Sequence, residues 1–184
     1  KNVVLMIADG SGFNSFLATS MFRGRVGREV FDGPGWVKAA VATYPLNLSS
    51  KPQNTGVQDP EVVYSPEKAY RYDLDWLKDT PTDSAAAATA MGTGQKTYNN
   101  AIGWSDFGRP LWNIHQEAKS KGKATGVVTS VPFSHATPAG MVAHNVSRNN
   151  YAQIGSEMVR HSGLDVIMGA GHPMCDGAGK RIAQ

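Results

Sequence analysis

Four short segments carry side chains whose types and spacing could do chemistry. In Thr82-Asp83-Ser84 followed by the run Ala85 to Ala88, a hydroxyl stands in the first turn of a strong helix former. Free backbone N–H groups and the positive dipole end favour an anion there, and a serine in such a field can act as a nucleophile, above all beside a metal. The residues alone leave a second reading open, in which Thr82, Asp83 or Ser84 simply caps the helix. Asp9 follows an apolar run and precedes Gly10 and Gly12. Its carboxylate suits a hard or borderline cation beyond the end of a strand, or the cap of an Asx turn. His135 and Thr137 stand two apart after a third apolar run, where an imidazole and a hydroxyl could share a cation or sit in a surface turn. Arg148 offers a planar fork that fits two phosphate oxygens, the alternative being a solvated surface arginine.

Other patterns are set aside. Gly10-Ser11-Gly12 follows a strand candidate but lacks the third glycine of a dinucleotide fingerprint. Gly92-Thr93-Gly94-Gln95-Lys96-Thr97 has the wrong spacing for a phosphate-binding P-loop. His172, Cys175 and Asp176 lack a second spaced ligand pair. Asn47-Leu48-Ser49 and Asn145-Val146-Ser147 match the glycosylation sequon, a pattern short enough to arise by chance.

The elements that must position these residues read as follows. Val3–Ala8 is a continuous apolar run rich in β-branched residues, which predicts a strand buried on both faces. Phe13–Met21 predicts a helix, Trp36–Tyr44 a second strand, and Asp83–Met91 a helix ended by Gly92 and Gly94. Pro110–Ser120 predicts a helix with proline near its first turn, closed by Gly122. Ala124–Val131 and Asp165–Met168 are further strands, with Tyr151–His161 a helix between them. Pro45 to Pro81 is polar, turn-rich and proline-rich. It reads as a surface excursion with a helical turn near Pro66–Tyr72. Strands alternating with helices predict an α/β fold with a largely parallel sheet.

The chain has 184 residues, 41% hydrophobic and 18% charged, a globular composition and one domain's length. A net charge of +3 without a clustered patch is no nucleic-acid footprint, and no apolar stretch reaches the roughly 20 residues of a membrane span. A single cysteine excludes an internal disulfide. The start at Lys1 predicts a processed or trimmed N-terminus.

Taken together, these segments resemble the alkaline phosphatase family in order and approximate spacing over nearly the whole chain. Lys1–Gly10 is similar to its first strand and metal-binding Asp, Thr82–Ala90 to its nucleophile motif, Thr93–Asn99 to the segment after it, and Ala136–Ala139 with Ala143-His144 to its magnesium-side loop. Arg148 falls where the family keeps its phosphate-clamping arginine. The resemblance implies a three-layer α/β/α sandwich with a largely parallel central sheet, incomplete in this chain. The chain is then the N-terminal portion (1–184) of a single catalytic domain, with the excursion at about 45–81.

It also implies roles. Asp9 would bridge a zinc and the magnesium position, and Ser84 would attack phosphorus while coordinating that zinc. Asp83 would orient Arg148, and Thr137 would be a magnesium-site ligand. His135 stands where family members carry Asp or His, and with His the third site accepts magnesium weakly or through water, or zinc. Two Zn²⁺ and one Mg²⁺ are expected in the complete enzyme, the remaining ligands lying beyond residue 184. The chain on its own would then hold the nucleophile half of the site and be inactive. The implied reaction is hydrolysis of phosphate monoesters at alkaline pH through a phosphoserine, releasing inorganic phosphate, in a periplasmic or secreted homodimer. The competing readings are a superfamily sulfatase or phosphodiesterase, and a non-catalytic phosphate-binding module or pseudoenzyme. The alanine run after Ser84 argues against a sulfatase.

Overall fold

The computed structural model describes residues 1–41, 43–58, 63–71, 73–79, 81–171, 174–176 and 180–182. The chain divides into two compact units, Lys1–Ala42 and Thr43–Gln184.

The first unit is organised around helix α1, Phe13–Phe22. Phe16 meets Phe31 edge-on at 6.1 Å. A 3-10 turn, Val30–Asp32, follows. The Glu29 N–H donates to Asp32 Oδ2 at 2.9 Å, and Lys38 pairs with Asp32. Two strand expectations fail in this unit. Residues 3–8 form no ladder, and Val3 and Met6 are each 87% exposed. The described residues of 36–44 likewise form no ladder, with Val37 and Val41 in solvent. β-branched composition favours a strand only where a neighbouring strand completes the backbone hydrogen bonds and a layer covers the faces. Neither is present for these runs among the unit's described residues.

The second unit holds α2 (Pro66–Tyr70), α3 (Leu74–Asp79), α4 (Ser84–Thr93), α5 (Ile114–Ser120), β1 (Gly126–Pro132), α6 (Ala136–Ala139), α7 (Tyr151–Arg160) and β2 (Val166–Ala170). β1 and β2 pair in parallel, Gly126 opposite Val166 and Val128 opposite Met168, with an irregularity before Pro132 pairs with Ala170. The connection between them runs through α6 and α7, a βαβ unit. The class is therefore α/β with a parallel sheet, small and incomplete beside the three-layer sandwich. α5 starts later than its proline suggests, because Pro110 is held in a bridge with Trp104. The capping box of Asn113 and Gln116 sets the true start.

The core explains the alanine run. Ala85, Ile102, Ala136, Ala139, Ala143, Ile154 and Met158 form one buried cluster, with Phe133, Leu164 and Ile167 against it. α4 packs on α6 at close range: a Cβ on Gly140 would come within 2.7 Å of Ala88 Cβ, and one on Gly92 within 3.0 Å of the Gly140 carbonyl. Larger side chains on this face would push the two helices apart. Thr89, fully buried between them, donates from Oγ1 to Ala101 O and accepts from Gly103 N–H, both at 2.9 Å.

Candidate active site

Ser84 is the first residue of α4, and Asp83 is its N-cap, with extended backbone and Oδ1 accepting from Ala86 N–H at 2.9 Å. Gly94 closes the helix with a left-handed φ of 72°, its N–H on Ala90 O. The capping expectation is met by Asp83, whose carboxylate leaves the Ser84 hydroxyl outside the capping bond.

The other oxygen of Asp83 faces two donors. Arg148 Nη1 donates to Oδ2 at 3.1 Å, across 65 residues of chain, and Asn100 N–H donates to the same oxygen at 3.1 Å. The Asp83 N–H donates to Asn99 Oδ1 at 3.1 Å. The Arg148 and Asp83 side chains keep 26% and 22% exposure, and among the described residues the guanidinium spends one nitrogen on Asp83.

The segment bearing Arg148 is fastened from several sides. Arg148 N–H donates to Asn100 O at 2.8 Å, and Asn145 forms an antiparallel bridge with Ile102. Tyr98, fully buried, donates from its hydroxyl to Val146 O at 2.9 Å. Burial and the charge of Asp106 push the Tyr98 phenol up to about 12, so this bond persists into alkaline solution. His144 ties the same segment to two elements. Nδ1 lies 2.8 Å from Glu157 Oε1 on α7, and Nε2 lies 2.9 Å from Leu111 O ahead of α5. Nε2 also lies 3.4 Å from Asn113 Nδ2, so the ring is surrounded by polar partners on both sides. Burial pulls the His144 pKa down, but the bonds to Glu157 and Leu111 outweigh it and the net shift is upward.

His135 is the N-cap residue of α6 and makes no side-chain capping bond. Its ring lies 5.1 Å from that of Tyr151, and its Nε2 is buried without a hydrogen-bond partner among the described residues. Thr137 follows in the first turn of α6. An imidazole nitrogen left open fits a metal ligand, although no group of three His, Cys, Asp or Glu side chains converges among the described residues. Asp9 belongs to the first unit, in the turn where Ser11 N–H donates to Ala8 O at 3.1 Å and Gly10 takes φ +76°. The structure thus gathers Ser84, Asp83 and Arg148 into one cluster. It places His135 and Thr137 on the short helix packed against α4. His172 lies outside the described residues, and Cys175 is half-buried in a bridge with Arg181.

Sequence reasoning took Tyr98, Asn99 and His144 only as parts of family-like segments, and passed over Asn100 and Glu157. The one local signal was the Asn-Asn dipeptide, a turn former that tolerates a left-handed backbone.

The fold is α/β, with a hydroxyl at a helix N-terminus and a carboxylate-held guanidinium joined to that helix's cap. The alkaline phosphatase family model matches residues 1–176, and the chain belongs to the alkaline phosphatase family. Alkaline phosphatase 3 of Bacillus subtilis is 34% identical over 177 residues, covering 93% of this chain and 32% of that protein. The chain spans about a third or less of the first curated relatives it matches. The crystal structure of a cold-active alkaline phosphatase from the psychrophile Shewanella sp. superimposes with a TM-score of 0.55 at 33% identity, covering 94% of this chain and 36% of that one. A TAB5 alkaline phosphatase variant with Mg bound in its M3 site is 40% identical over 49% of this chain and 26% of its own, at a TM-score of 0.48.

Proposed function

We propose that this chain supplies the nucleophile side of a site that hydrolyses phosphate monoesters through a phosphoserine, as the N-terminal portion of a single alkaline phosphatase-like catalytic domain. The observation that carries the reading is the Asp83–Arg148 pair standing at the N-terminus of α4 beside Ser84. Arg148, braced by Asp83, binds two non-bridging phosphate oxygens with its remaining N–H groups. The helix N-terminus adds its dipole to the same anion. Ser84 Oγ forms a bond to phosphorus as the ester P–O bond breaks and the alcohol departs. Water then cleaves the phosphoserine, releasing inorganic phosphate and restoring the hydroxyl.

Asp9, Ser84, His135 and Thr137 are the residues of this chain that would hold Zn²⁺ and Mg²⁺. Bound there, the ions would lower the pKa of the serine hydroxyl and neutralise phosphate charge. The chain's own polar groups set the anion's place before any metal arrives. Family membership supports phosphomonoester chemistry in general, and the reading extends to a periplasmic or secreted homodimer. No helix among the described residues is long and apolar enough to cross a membrane.

The test is hydrolysis of p-nitrophenyl phosphate at alkaline pH with added zinc and magnesium, by this chain and by the longest natural protein that contains it, each beside its Ser84→Ala variant. Turnover by the longer protein that Ser84→Ala abolishes supports the reading. An inert longer protein overturns it. Phosphodiester and sulfate esters run in parallel separate the superfamily alternatives.

A further inference from the structure

The Asn99–Asn100 turn touches both charged members of the cluster, and nothing in the proposed chemistry uses it. Asn100 carries φ +74°, one of two described non-glycine residues with positive φ. That conformation is strained for a side-chain-bearing residue, least for Asn and not at all for Gly, and persists only when neighbours enforce it. Here it turns two adjacent backbone groups to opposite partners. Asn100 N–H donates to Asp83 Oδ2 at 3.1 Å, and Asn100 O accepts from Arg148 N–H at 2.8 Å. Arg148 Nη1 returns to the same Asp83 oxygen at 3.1 Å. The result is a closed ring of three hydrogen bonds: one carboxylate oxygen, one residue of turn backbone, and the arginine by both its backbone and its side chain.

Asn99 performs the second half of the task with its side chain. Oδ1 accepts from Asp83 N–H at 3.1 Å, and Nδ2 donates to Pro81 O at 3.2 Å. Both residues flanking Thr82 are thereby held to one amide, directly ahead of Ser84. The turn is itself anchored, Asn99 N–H donating to Ser49 O at 3.1 Å.

We propose that the Asn99–Asn100 turn positions the phosphate clamp: by bonding Asp83 and Arg148 from one rigid turn, it sets where the guanidinium fork stands relative to Ser84. This rests on the phosphatase reading of Ser84 and Arg148. Neither asparagine touches substrate, and both act through the residues they hold. The left-handed conformation at Asn100 is what the ring requires, not its side-chain amide, which makes no hydrogen bond among the described residues.

The experiment compares Asn100→Ala, Asn100→Gly, Asn99→Ala and Arg148→Ala in the intact metal-loaded protein, with Asn100→Ala also placed on the Arg148→Ala background. It reads KM and kcat for p-nitrophenyl phosphate, inorganic phosphate affinity by calorimetry, and the thermal midpoint of each variant. Asn100→Ala is expected to weaken phosphate affinity and raise KM about tenfold, in line with loss of a well-aligned bond to a charged group, with kcat changed less. Asn100→Gly, which keeps φ without strain, is expected to stay within about twofold of the parent. On the Arg148→Ala background, Asn100→Ala is expected to add nothing.

Unchanged phosphate affinity in folded Asn100→Ala overturns the proposal. So does Asn100→Gly failing as badly as Asn100→Ala, or an equal loss with and without Arg148. Should Asn100→Ala not fold, Asn99→Ala decides, and phosphate affinity equal to the parent's overturns the proposal. If Arg148→Ala and Ser84→Ala leave phosphate binding and turnover intact, the phosphatase reading falls and this inference with it. A loss at Arg148→Ala alone sinks only the role of the turn.

Discussion

Two aspartates of the second unit, Asp83 and Asp106, hold the same chemical group in opposite conditions. Asp106 is 2% exposed, and both its oxygens are consumed by one loop. Oδ1 accepts from Gln53 N–H at 2.9 Å and Asn47 Nδ2 at 3.2 Å, and Oδ2 from Thr55 N–H at 3.0 Å, Thr55 Oγ1 at 3.2 Å and Gly56 N–H at 2.9 Å. Burial pushes its pKa up, yet these donors outweigh it and hold the carboxyl below its usual 3.8. Loop 47–56 is a small anion nest that the protein fills with its own carboxylate. Asp83 spends its oxygens on a helix cap, a turn amide and one nitrogen of a guanidinium that has further N–H donors. A saturated carboxylate fastens a loop. A carboxylate bonded to a cation with donors to spare prepares a place for an outside anion.

Predictions can break that contrast. The largest effect belongs to Ser84→Ala, which is expected to lower turnover by the intact protein about 10³-fold or more while leaving the thermal midpoint unchanged. Retained turnover would place the nucleophile elsewhere. Asp106→Ala is expected to do the reverse. It strands five donors on loop 47–56, costing about 3 kcal/mol in denaturant unfolding, with kcat/KM of the folded protein near the parent's. A large loss of kcat/KM in folded protein would erase the distinction between the two aspartates.

Arg148→Ala is expected to weaken inorganic phosphate by roughly 10- to 100-fold, the loss of charge-assisted bonds to the anion. Calorimetry at two salt concentrations checks it, and an unchanged affinity would count against the clamp. The smallest effect is pH-linked. The folded-state pKa of His144 is raised, so its stabilisation is fully present below about 6.5 and fades as pH rises through the higher folded value. Replacing it by Gln is expected to flatten the decline of the denaturant midpoint above pH 6.5. A parallel decline in both proteins would show that the charge on His144 contributes nothing.

What could be read locally was read well. A short polar residue before an alanine run, glycines after it, and two β-branched segments flanking a helix lie within one element's reach of each other. α4, α7, β1 and β2 stand within a few residues of their expected places for that reason. Residues 3–8 and 36–41 failed for the converse reason. Their composition is strand-like, but a strand exists only through the neighbour that completes its hydrogen bonds, and propensity cannot supply that partner. α2 and the unforeseen α3 divide the excursion's helical stretch, where short polar helices carry no strong periodic signal.

The amino-acid sequence by itself determined the class of the fold, the helix that presents Ser84, and the family, because each rests on local spacing and on residue types with narrow chemical uses. The tertiary structure alone decided which carboxylate is spent on architecture and which braces a cation. Asp83 finds Arg148 across 65 positions, and Asp106 finds its loop across 50 to 59. No propensity encodes such pairings, since they depend on closing long loops around the packed face of α4 and α6. The left-handed turn at Asn100 belongs with them: an asparagine permits that backbone, but only the ring of bonds to Asp83 and Arg148 demands it.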